Sequence, residues 1–462
     1  MKKIVCLLLA VVALLSCGSS AFASNNNYFG WMWETDNMTF PYDVEEDMIF
    51  PDYWKHNAPD FYEVKLTKQE IKEFNDKLVE MTDKTNLVYL DKVTSMPDSV
   101  IDYIDGIDSS LIDVMRANRV KYDQLKYAVA VKRAELKTVP YNDKYLDYNQ
   151  DLPDVLNQNA ILDVNEAFII SEVCSYNGKT FYYGRSNNCE GWVDSMDVAI
   201  CASREEWLDA WYVDVTAEDF IVVTQDKFTL EPMLWTPEIS DVEVFMGTVL
   251  KLVPRTELPR WIGEREGSWY NHVVFFPVRN DDGMYEKHVA LVPACKDVSI
   301  GFMPLTKSNI VDVAFCQLGN RFGFGGMLKS YDSPLYPRMV YKCFGFEIPR
   351  YAPAQREMPK YKDLTGMSAS EKRNWLAKLP TGSLIFLKGR YVCIKLDVQK
   401  EIYVISDNSM VSDCACDGAL NMRQFRDVMV TSLHVRRANG NTWEDEVIGT
   451  WCAWDYDPQL GF

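Results

Sequence analysis

Apolar positions first recur at helical spacing over residues 67–82, and a second helical pattern runs from Ser110 to Lys137. Spacings of three and four residues between apolar side chains are typical of an amphipathic helix. The apolar positions of the two stretches are Ile71, Phe74 and Leu78, and then Leu111, Val114 and Met115. The pattern therefore predicts a mostly helical segment over residues 24–150.

The hydrophobic period shortens near Val155, where short β-rich runs alternate with Asn, Gly and Ser. From Asp219 a second β-rich region contains four strand candidates, DFIVVTQDKFTL, VEVFMGTVLKLVP, WYNHVVFFPV and KHVALVP. The sequence Asp281-Asp282-Gly283 joins the last two and is typical of a hairpin turn. Two successive regions of short strands predict two small β-barrels, over residues 151–215 and 216–298.

After Gly301 the pattern changes to helices followed by strands, which predicts an α+β domain over residues 299–462. A first helix has an apolar face, a glycine-rich RFGFGG stretch follows, and a second helix covers about Pro337 to Phe344. Gly345 then fits the end of that helix. The apolar face consists of Ile310, Val313, Ala314 and Leu318, and the strand candidates are 383–387, 391–396 and 402–406.

The N-terminus is typical of a secretory signal over residues 1–23, because two lysines precede a short apolar run. Two cleavage sites remain open. Leu14–Gly18 fits a bacterial lipobox, which would make Cys17 a lipidated N-terminus, and Ala21–Ala23 fits ordinary signal peptidase. We favour the lipobox slightly, because Cys17 ends the apolar run. The protein is therefore expected to be exported to a bacterial cell envelope, as a periplasmic protein or outer-membrane lipoprotein, or to be secreted.

Composition narrows the function classes. The 462 residues are 47% hydrophobic and 25% charged, which excludes wholesale disorder. A net charge of −19 argues against a nucleic-acid partner, which needs a basic surface. Four histidines and a lone Cys414-x-Cys416 pair supply too few ligands for a metal site, so we expect neither a metal nor a cofactor. Cys174 and Cys189 flank a predicted hairpin and could form a disulfide.

Three stretches of the last domain carry motifs in a defined order. MPLTKSNIVDVAFCQLGNRFGFGG contains a helix and a glycine loop, DSPLYPRMVYKCFGFEIPR contains the next helix, and LPTGSLIFLKGRYV contains a strand. Together they resemble the opening helix, the Asp-Cys-Ser nucleophile helix and the Gly-His strand of NlpC-type cell-wall cysteine peptidases, which have a papain-like fold. The resemblance also implies a helical stabilising segment and two bacterial SH3-like barrels upstream.

The resemblance implies amide hydrolysis in murein stem peptides by a cysteine, a histidine and a third polar residue. Here Ser333, Arg390 and Ser406 stand at those three positions. A serine depends on an adjacent base more than a cysteine does, and arginine is permanently protonated. We therefore predict no intact catalytic group, and a role for Ser333 as a helix N-cap before Pro334. Cys343 and Cys393, the nearest thiols in sequence, are expected in the core.

Ligand recognition has its own candidates. Asp332 matches the family aspartate that pairs with the free amine of a stem peptide. Arg390 can pair with a ligand carboxylate or with Asp332, and we favour the internal pair. Phe322, which replaces the family tyrosine, and Phe324 are further candidates for which we favour a place in the core. Pro337 is expected to delay the second helix, because proline lacks the amide N–H.

These departures predict a catalytically inactive relative of murein endopeptidases that binds peptidoglycan stem peptides or an envelope protein. Membrane association would come only through the N-terminal lipid. One alternative is an active γ-D-glutamyl endopeptidase rewired around Ser333. Another is a lipoprotein that keeps the fold as a scaffold, since fold alone does not determine function.

Overall fold

The computed structural model describes residues 38, 40–41, 43–56, 58–81, 118–140, 158–176, 178–187, 189–413 and 422–456. The signal segment with Cys17, the stripe at Leu111, Val114 and Met115, and the Cys414-x-Cys416 pair lie outside these residues. Within the described ranges, no helix is both long enough and apolar enough to cross a bilayer.

The helices confirm the first sequence pattern. Residues 68–81 form an α-helix that buries its predicted face of Ile71, Phe74 and Leu78. Short 3-10 turns at Glu46–Ile49 and Pro51–Trp54 precede it. The α-helices of the described ranges are α1 (Pro59–Tyr62), α2 (Lys68–Met81), α3 (Arg204–Trp211), α4 (Lys307–Phe315), α5 (Leu335–Lys342), α6 (Ala352–Gln355) and α7 (Ala369–Lys378).

The first β unit is one seven-stranded sheet with the order β3-β2-β6-β5-β4-β1-β7. Its strands are β1 (Arg119–Ala130), β2 (Ala134–Lys137), β3 (Gln158–Leu162), β4 (Ala167–Tyr176), β5 (Lys179–Arg185), β6 (Glu190–Asp194) and β7 (Val198–Ile200). The predicted helix up to Lys137 is therefore wrong over residues 119–137. Antiparallel pairing of β1 with β4, from Arg119 opposite Cys174 to Val129 opposite Ala167, outweighs the local pattern. The β unit thus begins at residue 119 rather than 151.

The disulfide considered for Cys174 and Cys189 is not formed, because both are free buried thiols. Cys174 is level with Phe181 near one end of β5, whereas Cys189 follows the other end of that strand. Five residues of strand correspond to about 16 Å, and a disulfide requires Cα atoms within about 7 Å.

The second β unit consists of short sheets around a shared apolar core. The predicted hairpin is confirmed: its two strands pair from Asn271 opposite Pro293 to Arg279 opposite Tyr285. Each of the two preceding strand candidates is split by a turn. The strands are β8 (Phe220–Val223), β9 (Lys227–Thr229), β10 (Glu243–Phe245), β11 (Val249–Lys251), β12 (Trp261–Ile262), β13 (Arg265–Glu266), β14 (Asn271–Arg279), β15 (Tyr285–Pro293) and β16 (Val298–Ile300).

The C-terminal domain is α+β, as predicted, with a six-stranded sheet in the order β17-β24-β18-β19-β20-β23. Helices α4 and α5 pack on one face of it, in a core that includes Val340 and Ile394. Helix α7 packs on the opposite face, where Leu376 contacts a core with Cys393. The strands are β17 (Tyr361–Asp363), β18 (Leu384–Leu387), β19 (Val392–Val398), β20 (Ile402–Asp407), β21 (Val411–Asp413), β22 (Met422–Gln424), β23 (Val428–Ser432) and β24 (Val447–Trp451).

Candidate functional site

Asp332 and Ser333 lie just before α5, at the positions that match the aspartate and the nucleophile of the predicted motif. The backbone N–H of Leu335 donates to Asp332 Oδ1 at 3.2 Å, and the N–H of Tyr336 donates to the Asp332 carbonyl at 2.9 Å. The residue directly before α5 is Pro334, and Asp332 satisfies the first N–H of the helix, so the prediction that Ser333 is the N-cap is wrong. An aspartate at this position suits the positive end of the helix dipole.

The predicted effect of Pro337 is wrong as well. Helix α5 begins at Leu335, so Pro337 is its third residue and lies within the first turn. The first four N–H groups of a helix have no partner inside the helix, and proline loses nothing by lacking one there. The start of α5 consequently remains next to Ser333.

The Ser333 hydroxyl is engaged by the neighbouring strand. Ser333 is only 3% exposed. Its Oγ accepts a hydrogen bond from the Val392 N–H at 2.9 Å and donates to the Val392 carbonyl at 3.3 Å. A backbone carbonyl cannot remove the hydroxyl proton as a general base does. The side chain thus joins the start of α5 to the first residue of β19.

Truncating Ser333 tests this structural role. We expect Ser333→Ala to lower the free energy of unfolding by about 1–3 kcal/mol, because the Val392 N–H would stay buried without its partner. Urea denaturation followed by tryptophan fluorescence measures the change. Ser370→Ala, at an exposed serine of α7, is the control and should change stability little. Equal stability of Ser333→Ala and the parent protein would contradict the assignment.

Asp332 pairs with Arg350, and the predicted pair with Arg390 is wrong. Arg350 Nη2 lies 2.6 Å from Asp332 Oδ2, and both side chains are buried. The Gly325 N–H donates to the same oxygen at 2.8 Å. Arg390 instead lies exposed in the turn between β18 and β19. The Asp332 carboxylate, which was expected to bind a ligand amine, is therefore already paired with Arg350.

Ser406 and Asp407 lie on opposite faces of β20. Val404, two residues before Ser406, packs in the core beneath α7, whereas Ile405, two residues before Asp407, packs in the core beneath α5. Because side chains alternate along a strand, Ser406 faces away from Ser333. Its Oγ accepts from Asn408 Nδ2 at 3.2 Å instead. Asp407, which the sequence interpretation passed over, is the β20 residue on the Ser333 side.

Asp407 is a buried acid. Its side chain is fully buried, and neither carboxylate oxygen has a hydrogen-bond partner among the described residues. Burial, followed by repulsion from Asp332 and Asp427, holds its pKa well above the usual aspartate range. A carboxyl group whose ionisation is disfavoured in this way is a poor base for Ser333.

The glycine loop is held in place from two sides. Within it, Phe322 and Phe324 are half-buried rather than in the core, contrary to the interpretation we favoured. Arg133, which follows β1, donates to the carbonyls of Gly326 at 3.2 Å and Ser330 at 2.5 Å. Gly326 has φ +88°, and a Cβ there would lie 2.5 Å from a methyl group of Ile161. A side chain at residue 326 would therefore push the first β unit away.

The thiols and the histidine of this domain do not replace the missing groups. Cys343 and Cys393 lie in the core, as predicted, and burial raises the pKa of each to about 12. His434 is exposed and follows β23 rather than lying within a strand. Among the described residues, no three His, Cys, Asp or Glu side chains are grouped so that they could hold a metal ion.

No protein-family model and no curated protein matches the sequence. Solved structures do match. An NlpC/P60 endopeptidase from Photobacterium damselae subsp. piscicida is 12% identical, covers 90% of this chain and 97% of its own, and superposes with a TM-score of 0.65. An NlpC/P60 family protein from Bacillus cereus ATCC 10987 is 14% identical, and the match covers 71% of this chain and 100% of its own, with a TM-score of 0.46. The first likeness shows that the chain has an NlpC/P60-type fold.

Proposed function

We propose that the protein is a catalytically inactive NlpC/P60-type protein of the bacterial cell envelope that binds peptidoglycan stem peptides or an envelope protein. In this proposal the two β units are SH3-like domains, and the N-terminal signal directs export. The observation that carries it is the hydroxyl of Ser333, which is buried and hydrogen-bonded in both directions to the Val392 backbone.

The surroundings of Ser333 support inactivity. A serine nucleophile needs a base within hydrogen-bond reach. Arg390, at the second family position, is permanently protonated. Ser406, at the third, lies on the opposite face of β20. The raised pKa of Asp407 disfavours the ionised form that a base requires. Hydrolysis would therefore require Ser333 to leave the Val392 backbone and a base to arrive from elsewhere.

Arg390 is the group best placed to recognise a stem peptide. It is exposed, and it has no ion pair with the described residues. Its guanidinium can bind a carboxylate bidentately, and stem peptides carry carboxylates on D-glutamate and at the C-terminus. Asp332 is excluded as a partner for the ligand amine while Arg350 occupies it.

A combined cleavage and binding assay tests the proposal. We expect the purified full chain to leave murein stem peptides intact by mass spectrometry and to bind them in calorimetry. Arg390→Ala should weaken binding about tenfold, which corresponds to one lost charge-assisted contact. Arg255→Ala, at an exposed arginine of the second β unit, is the matched control and should bind normally.

Two outcomes would contradict the proposal. Cleavage that disappears in Ser333→Ala would identify an active hydrolase around Ser333. If folded protein, checked by circular dichroism, bound neither stem peptides nor envelope proteins, the protein would be a structural scaffold instead.

A further inference from the structure

The second β unit carries four exposed aromatic side chains around the β12–β13 hairpin. We call them the aromatic patch: Trp235 (66% exposed), Trp261 (51%), Trp269 (77%) and Tyr270 (90%). Leu234, beside them, is 82% exposed. Large apolar side chains grouped on a surface in this way mark an interaction site more often than isolated ones do.

Hydrogen bonds bring the aromatic patch together around one turn. Trp261 is the cross-strand partner of Glu266, and Trp269 Nε1 donates to the Glu266 carbonyl at 3.1 Å. The N–H of Leu234, next to Trp235, donates to Glu264 Oε2 at 3.0 Å. All four aromatic residues therefore belong to chain segments that contact the same short hairpin.

The backbone beneath the aromatic patch is fixed. Ile262 and Met233 are buried together in a core cluster, which anchors the hairpin and the segment before it. Tyr270 has φ +56°, and its carbonyl accepts a hydrogen bond from the Ala294 N–H at 2.9 Å. A left-handed conformation at a non-glycine residue costs on the order of 1 kcal/mol and persists where the surroundings enforce it. The most exposed ring is thus presented on a constrained backbone.

Two ion pairs lie beside the aromatic patch. Arg260 binds Glu266 through two nitrogens at 2.9 and 2.7 Å, and Arg265 lies 3.1 Å from Glu231. Anionic lipids and nucleic acids are attracted by unpaired basic side chains. Arg260 and Arg265 are both paired with carboxylates. This pairing favours an uncharged partner that has flat apolar faces and hydrogen-bonding edges.

We propose that the aromatic patch binds a neutral β-linked polysaccharide. Pyranose rings with equatorial substituents present axial C–H groups that form a flat apolar face, which stacks on an indole or phenol ring. Their hydroxyl edges can hydrogen-bond to the paired carboxylates and guanidinium groups of Glu266 and Arg260. This inference concerns the second β unit and does not depend on stem-peptide binding by the C-terminal domain.

Binding of peptide-free sugars by the full chain tests the inference. The probes are chito-oligosaccharides and cello-oligosaccharides, which are neutral and β-linked, measured by calorimetry and tryptophan fluorescence. We expect binding to at least one of them, weakened about tenfold by Trp269→Ala and by Trp235→Ala, as for a ring that carries much of a binding energy. Tyr62→Ala, at a 55% exposed tyrosine of α1, is the control and should bind like the parent protein.

Because the probes lack peptides, a failure to bind these sugars is distinguishable from a failure to bind stem peptides. The proposal is overturned if the parent protein binds none of the sugars, or if it binds them equally well after both tryptophan substitutions. Retention on phosphatidylcholine vesicles that is lost in the same variants, without sugar binding, would identify a membrane surface as the partner instead.

Discussion

Replacing Arg350 by methionine is expected to lower the free energy of unfolding by about 3–5 kcal/mol, the usual effect of removing one partner from a buried ion pair. The Asp332 carboxylate would lose its cation and keep only the backbone N–H groups of Gly325 and Leu335. Those two hydrogen bonds soften the loss but do not neutralise the charge. Chemical denaturation measured by circular dichroism gives the free energy directly.

Arg390→Met is the matched control, since Arg390 is an exposed arginine of the same domain. It should change stability by about 0.5 kcal/mol or less, as surface substitutions do. Combining Asp332→Asn with Arg350→Met should cost less than the sum of the two single changes, because neither charge remains unpaired. The opposite ranking, with Arg390→Met more harmful than Arg350→Met, would show that the ion pair is misassigned.

Replacing Asp407 by asparagine is expected to stabilise the protein at neutral pH, because asparagine has no ionised form that burial disfavours. The raised pKa means that the folded state holds a proton which the unfolded chain releases above about pH 4. The stability of the parent protein therefore falls as pH rises, by up to about 1.4 kcal/mol per unit, until the folded pKa is passed. Asparagine carries no such proton.

Thermal unfolding between pH 4 and pH 8 separates the two proteins. The difference in stability between Asp407→Asn and the parent should be smallest at pH 4 and should grow toward pH 8 in favour of asparagine. Asp281→Asn, in the exposed turn between β14 and β15, should give no such trend. A variant less stable than the parent at pH 8 would mean that Asp407 is ionised and paired.

The sequence motifs predicted the C-terminal domain well because each depends on local order. The strands at 383–387, 391–396 and 402–406 lie near their predicted bounds, and the helix Lys307–Phe315 contains three of its four predicted face residues, with Leu318 beyond its end. Ion pairs between residues far apart in the sequence could not be predicted from these motifs. Arg350 ends the matched FGFEIPR stretch and Arg390 follows the matched glycine, and nothing in their spacing decides which one reaches Asp332.

Two other errors have equally specific causes. The motif order places Ser406 at the third site position, but a shift of one residue along β20 exchanges the two faces of the strand, and Asp407 lies on the face toward Ser333. The predicted helix over residues 119–137 extends the pattern of Leu111, Val114 and Met115, which all precede residue 119. The pairing of this segment with β4, a strand about 40 residues further along the chain, determined its structure.

The contacts of Arg133 also bear on how the protein unfolds. This side chain joins Asp163 of the first β unit, at 3.2 Å, to the glycine loop of the C-terminal domain, and it lies over the rings of Phe245 and Tyr331. Domains with small interfaces move relative to one another, and multidomain proteins often depart from two-state unfolding. Together with the Lys342–Glu166 ion pair, Arg133 links the β units to the C-terminal domain, and we expect these parts to unfold in one transition.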